Sequence, residues 1–152
     1  MNHAHPMLDQ INLVSGNLDA SMAFYRRLGL EIPAERVWRT PSGIHHVSAG
    51  REAEGPALAL DFDSIAFAGL WNSGWVRRED LRGKVVVGFK LASRTAVDAT
   101  YADMTNAGYT GLQAPYDAFW GSRYAVLEDP DGIAVGLMSP SSPEYRSAPP
   151  EI

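Results

Sequence analysis

The sequence predicts an α+β fold: two βαβββ modules that form a curved mixed sheet with helices on its convex face. Three observations point there. Apolar positions alternate with period two in several short runs and switch to helical spacing in two longer ones. The order strand, helix, strand, strand, strand occurs twice, in matching register: Leu13 and Leu91, and likewise Gly29 and Gly108, are separated by nearly the same interval. The second copy closes on a strand, turn, strand unit whose turn is Asp129-Pro-Asp-Gly132, with Pro at its second position and Gly at its fourth, as a tight turn favours.

Taken in order, residues 8–14 read as a strand with Ile11 and Leu13 on one face and Gln10 and Asn12 on the other. Ser15-Gly16-Asn17 is a turn that offers a helix cap. A helix over 19–28 places Met22, Phe24, Tyr25 and Leu28 on its apolar side, and Gly29 closes it. Strands are expected over 31–39, 44–49 and 57–63, joined by turns at 40–43 and 52–56. The stretch 64–83 carries Phe67, Leu70, Trp71 and Trp75, too apolar for a bare linker, and is expected to be an ordered loop packed on the body. Residues 85–91 form the next strand. Ser93 caps a helix that runs to about Asn106, with Val97, Tyr101 and Met104 inward and Gly108 ending it. Strands over 109–114, 123–128 and 133–138 follow, and the Ser- and Pro-rich residues 139–152 read as a tail or arm. The organisation is one domain over 1–152: module one at about 7–64, a connector at 65–83, module two at 84–139, then the tail. At the other end residues 1–6 read as loose, and a copper- or nickel-binding role for His3 is the lesser expectation.

Composition narrows the function classes. The chain has 152 residues, 45% hydrophobic and 20% charged, with net charge −5, a soluble globular balance that argues against a nucleic-acid binder. With no cysteine it has neither a thiolate nucleophile nor a thiolate metal site. No apolar run is long enough to span a membrane and no signal-peptide pattern opens the chain, so the expected setting is cytoplasmic, without membrane partners.

Residues 10–25, QINLVSGNLDASMAFY, with Leu28-Gly29-Leu30, resemble the opening module of the vicinal oxygen chelate superfamily, which includes glyoxalase I, bleomycin-resistance proteins and extradiol dioxygenases. Trp120-Gly-Ser-Arg123 with Asp129-Pro-Asp-Gly132 is similar to its closing module. The resemblance covers residues 8 to roughly 140. It implies four metal-ligand positions, two per module, which fall on Gln10, Ala59, Gly88 and Gly136. Zinc, nickel, iron and manganese need imidazole or carboxylate donors. Alanine and glycine donate nothing, and one neutral Gln is too weak alone. The expectation is a site with no metal and no cofactor, closest in character to the metal-free bleomycin-resistance branch, whose members sequester a drug and pair as homodimers.

On strict alternation the concave face collects Gln10, Asn12, Ala59, Asp61, Asp63, Val86, Gly88, Lys90, Ala134, Gly136 and Met138. The candidate ligand-binding residues are Gln10, Asn12, Trp38, His46, Asp61, Lys90, Trp120 and Met138, with no catalytic residue assigned. Small side chains leave volume, polar ones orient a guest, and Trp38, Trp71, Trp75, Tyr116, Phe119, Trp120 and Tyr124 supply stacking walls. Bland readings stand beside these. Asp61 and Lys90 can form a salt bridge, and Trp120 can be packing or a dimer contact. Asp129 and Asp131 are turn formers, and Gly88 and Gly136 permit close strand packing. His45 and His46 point to opposite faces, so at most one reaches the cleft. The function read from this is a small-molecule-binding protein, a homodimer whose guest is an aromatic or peptide natural product. The alternatives are an enzyme of the same fold, with a metal relocated onto Asp61, Asp63 and His46 or with metal-free acid–base chemistry, and a partner-binding domain.

Overall fold

The computed structural model describes residues 10–49, 58–71 and 85–148, and of Gln10 and Trp71 only the backbone. The expectations for residues 1–6, for the turn at 52–56 and for Trp75 lie outside the described residues. The chain divides into two compact units, Met1–Arg77 and Arg78–Ile152. Each contains one four-stranded mixed sheet.

The first unit runs β1 (Gln10–Ser15), α1 (Leu18–Arg27), a 3-10 turn (Ala34–Arg36), β2 (Val37–Thr40), β3 (Gly43–Ala49), β4 (Ala59–Ser64) and α2 (Ile65–Trp71). Its sheet order is β1-β4-β3-β2, with β1 parallel to β4 and the other pairs antiparallel. Asn17 caps α1: its side chain accepts from the Ala20 amide at 3.0 Å, as the sequence predicted. Gly29 ends the helix at φ +94°, which lets the Leu30 amide reach back to the Tyr25 carbonyl at 2.9 Å. Phe24 and Tyr25 are fully buried, and the Tyr25 ring meets Phe62 of β4 at 4.8 Å. In cross-strand register with Phe62 lie Leu13 and Val47, so this row is the face that α1 covers. The hydroxyls of Ser15 and Ser21, 2.8 Å apart, tie α1 to β1.

The second unit repeats the plan: β5 (Val86–Lys90), α3 (Arg94–Asn106), β6 (Thr110–Asp117), β7 (Arg123–Glu128), β8 (Ala134–Met138) and a closing 3-10 turn (Pro143–Tyr145). The order is β5-β8-β7-β6, again with only the first pair parallel. Ser93 caps α3 by accepting from the Ala96 amide at 3.1 Å. Gly108, at φ +95°, ends it as Gly29 ends α1, with the Tyr109 amide on the Met104 carbonyl at 3.1 Å. Val97 and Met104 of α3 and Ala125, Leu127, Val135 and Leu137 of the sheet are fully buried. The Tyr101 ring of α3 occupies the space a side chain at Gly111 would need. In the β7–β8 turn the Asp129 carboxylate accepts from the amides of Asp131 and Ile133, each at 2.9 Å, so Asp129 is a turn former as expected.

Three local expectations are corrected, and of the two readings of the C-terminal residues the arm holds. The strand expected over 31–39 is a 3-10 turn followed by the shorter β2, because Pro33 starts a tight turn in which the Arg36 amide bonds the Pro33 carbonyl at 3.1 Å. The strand expected over 109–114 extends to Asp117, because register shifts on both sides of Gln113 accommodate Pro115 within β6. The connector opens with a helix, α2, rather than a loop. The tail is an arm as far as residue 148: the Ser142 amide bonds the Gly121 carbonyl and the Ser147 amide the Phe119 carbonyl, both at 3.0 Å, and Arg146 bridges to Trp120.

Candidate functional site

Three side chains of the first unit meet on the sheet face opposite α1. Asp63 of β4 stands in register with His46 of β3, and His46 with Trp38 of β2. Asp63 is 1% exposed. Its Oδ2 accepts from Asn12 Nδ2 at 2.8 Å and its Oδ1 lies 2.6 Å from His46 Nδ1. A carboxylate only accepts, so the His46 Nδ1 carries the proton. In the neutral imidazole the other ring nitrogen, Nε2, is then the acceptor for the Ser48 hydroxyl at 3.2 Å. Asn12, Asp63, His46 and Ser48 thus form one chain of hydrogen bonds with a fixed imidazole tautomer.

Aromatic rings border this network. Phe67 of α2 packs edge-on against Trp38 at 5.1 Å and against His46 at 5.9 Å. Trp38 is 47% exposed, so nearly half of its surface remains open. His45 contradicts the expectation that the two histidines diverge. A bulge between Trp38 and Arg39 takes His45 out of strict alternation, and its ring lies 5.1 Å from Trp38. Both histidines therefore border the same Trp38–Phe67 pair. His45 is structural in its bonding: Nε2 meets the Thr40 and Ser42 hydroxyls at 2.8 and 2.9 Å, and Nδ1 meets Ser64 Oγ at 3.3 Å.

Asp61 shares the face of Asp63, two residues along β4, and is 9% exposed. The metal relocation onto Asp61, Asp63 and His46 does not form: among the described residues no three His, Asp or Glu side chains are gathered to hold an ion. The four positions that the family resemblance assigns to metal ligands fall into two directly paired sets, Gln10 with Ala59 on β1 and β4, and Gly88 with Gly136 on β5 and β8. The register is that of a two-plus-two donor arrangement, but the residue types do not fit a metal ion.

In the second unit Gly88 and Gly136 differ. A side chain at Gly88 meets nothing within 4 Å, whereas a Cβ at Gly136 falls 2.7 Å from the Tyr124 hydroxyl. The Tyr124 ring therefore lies over Gly136, and it packs edge-on against Tyr116 at 6.1 Å and Trp120 at 5.5 Å. Burial first, and Tyr116 second, hold the Tyr124 phenol above its ordinary pKa. Trp120 also packs against Phe119 at 5.2 Å, so its ring belongs to an aromatic cluster. Lys90 and Met138 are cross-strand partners on β5 and β8, both exposed. Arg123 braces the strand end: Asp98, then Asp117, favour its charged form.

Of the candidate residues, Asn12, Trp38, His46 and Asp61 share one sheet face. Trp120, Lys90 and Met138 belong to the other unit. The Gln10 side chain lies outside the described residues. Ser48 and Phe67 were missed. Ser48 was within reach, since it lies two residues from His46 on one strand; Phe67 had no signal beyond being aromatic in an apolar connector.

Comparisons with known proteins agree on the fold. Residues 7–137 match the sequence profile of the Glyoxalase/Bleomycin resistance protein/Dioxygenase superfamily. Among solved structures, a glyoxalase/bleomycin resistance protein/dioxygenase family enzyme from Burkholderia phytofirmans PsJN superposes with a TM-score of 0.70 at 19% identity, covering 87% of this chain and 97% of that one. A glyoxalase/bleomycin resistance protein/dioxygenase from Nocardioides gives 0.67 at 21% identity, over 99% and 92%. A lactoylglutathione lyase from Agrobacterium tumefaciens gives 0.62 at 19%, over 90% and 96%. No curated protein matches the chain.

Proposed function

The chain belongs to the Glyoxalase/Bleomycin resistance protein/Dioxygenase superfamily, and from that premise we propose that it is a small-molecule-binding protein that holds its guest without a metal ion. The observation that carries the reading is the face of β1 to β4, where a half-exposed Trp38 stands beside a hydrogen-bonded His46–Asp63 pair. An open indole offers stacking area to a flat guest. A few fixed polar groups beside an apolar wall orient a ligand. The donor chemistry supports the same reading, since Ala59, Gly88 and Gly136 stand at three of the four ligand positions implied by the family resemblance. The guest class is an aromatic or peptide natural product, and the assembly is a homodimer. Exposed apolar side chains on the sheet-edge strands, Val86 on β5 and Leu112 on β6, support pairing with a second copy.

The test is intrinsic fluorescence with a broad panel of aromatic antibiotics, beside native mass spectrometry for stoichiometry and dimer state. Binding is expected to quench the emission, and Trp38→Leu is expected to weaken affinity by about tenfold, the scale of one lost aromatic contact. Silence across the panel sinks the reading.

The 2.6 Å contact between Asp63 and His46 favours a second reading, proton transfer by His46. Asp63 would orient the imidazole and Asn12 would hold Asp63. Ser48 is a poor nucleophile here, because its directly paired neighbour is Asp61, whose carboxylate opposes the negative charge of an acyl-transfer intermediate. The mass spectra separate the two readings: a guest recovered unchanged supports binding, and a guest consumed by the protein but not by His46→Phe supports catalysis.

A further inference from the structure

Asp61 is the acidic group on this face with no assigned work. It sits mid-strand on β4, in register with Asn12 on β1 and Ser48 on β3, and is 9% exposed. Among the described residues of its unit, no hydrogen bond or ion pair reaches its carboxylate. Asp63, on the same face, has both oxygens engaged, one by Asn12 and one by His46. Among the described residues, His46 is turned to Asp63, His45 is bonded to the hydroxyls of Thr40, Ser42 and Ser64, and Arg39 at the sheet edge is paired with Asp19 at 3.0 Å. A buried carboxylate without a partner is costly, and its natural complement is a cation with N–H donors.

We propose, resting on the guest-binding reading above, that this face selects organic cations: an amidine, guanidinium or ammonium head bonded to Asp61 and a flat aromatic body stacked on Trp38. Trp38 lies two strands across from β4 and one side-chain row along from Asp61, about 12 Å between α-carbons on ideal sheet spacings. The indole's own reach closes part of that span, and a bicyclic aromatic with an amidine head bridges the rest. The same indole adds a cation–π contribution for a delocalised head that slides toward it.

Calorimetric titration with a matched trio tests this: 2-naphthamidine, 2-naphthamide and 2-naphthoate, alike in shape and differing in charge. The amidine is expected to bind at least tenfold tighter than the amide, with the carboxylate weakest. Asp61→Asn is expected to erase the amidine's advantage over the amide. The wild-type comparison stands alone if that variant fails to fold. Equal affinity of amide and amidine overturns the inference and leaves the guest-binding reading intact. So does failure of all three where other aromatic compounds quench the tryptophans. If no compound of any charge binds, the reading beneath it falls as well.

Discussion

Asp63 and Asp61 are two residues apart on one strand face and have opposite circumstances. Period-two alternation puts both on the face with Asn12, and that much is legible in the sequence. Which of them takes the histidine is not, because it depends on the cross-strand register of β3 against β4. His45 shows the limit more sharply. Alternation sends it away from His46, and no residue nearby announces the bulge that turns it toward Trp38. Tyr124 yields a prediction at this scale. Burial holds its phenol pKa above the usual value of 10.0. The folded state then favours the neutral phenol. Its contribution is intact below the unfolded-chain pKa and is lost as pH rises through the higher folded value. Denaturant midpoints followed from pH 9 upward should fall on the alkaline side, and Tyr124→Phe should flatten that fall. An unchanged slope in the variant would assign the loss to other groups.

At the scale of elements, the helices were the most legible parts. Their signals are local: Asn17 and Ser93 at the N-caps, Gly29 and Gly108 past the C-caps, apolar residues on one side between them. The repeat of the whole helix punctuation in both units is what made the double-module reading secure. Ser93→Ala should lower stability by about 1 kcal/mol, the usual worth of a capping side chain. Ser93→Asn should restore most of it. A Ser93→Ala variant with an unchanged urea midpoint would mean that packing of Val97 and Met104 alone fixes the start of α3. The strands were less legible at their ends. β2 begins late because Pro33 nucleates a tight turn, and β6 runs on through Pro115 because a register shift absorbs it. Both outcomes are tertiary accommodations of a proline, which the local pattern does not encode.

For the molecule as a whole, the family resemblance fixed the fold and located four positions that turned out to be paired two by two across parallel strands. It could not say what replaces a metal, because that is a question of which other side chains the same face brings together. The metal-free reading has a global signature. Exhaustive dialysis against EDTA should leave the melting temperature within about 1 °C, since a tightly held ion binding only the folded state would stabilise it by several kcal/mol. A clear drop, restored by one divalent metal, would contradict the reading. One earlier feature reaches further. The phenol ring of Tyr124 rests on the bare backbone of Gly136, so the second sheet already houses an incumbent. Any visitor to that spot must evict it by a side-chain rotation, and the room on offer there is set by a rotamer rather than by the backbone. A methyl group at 136 would force the same eviction permanently, turning a swinging door into an open one.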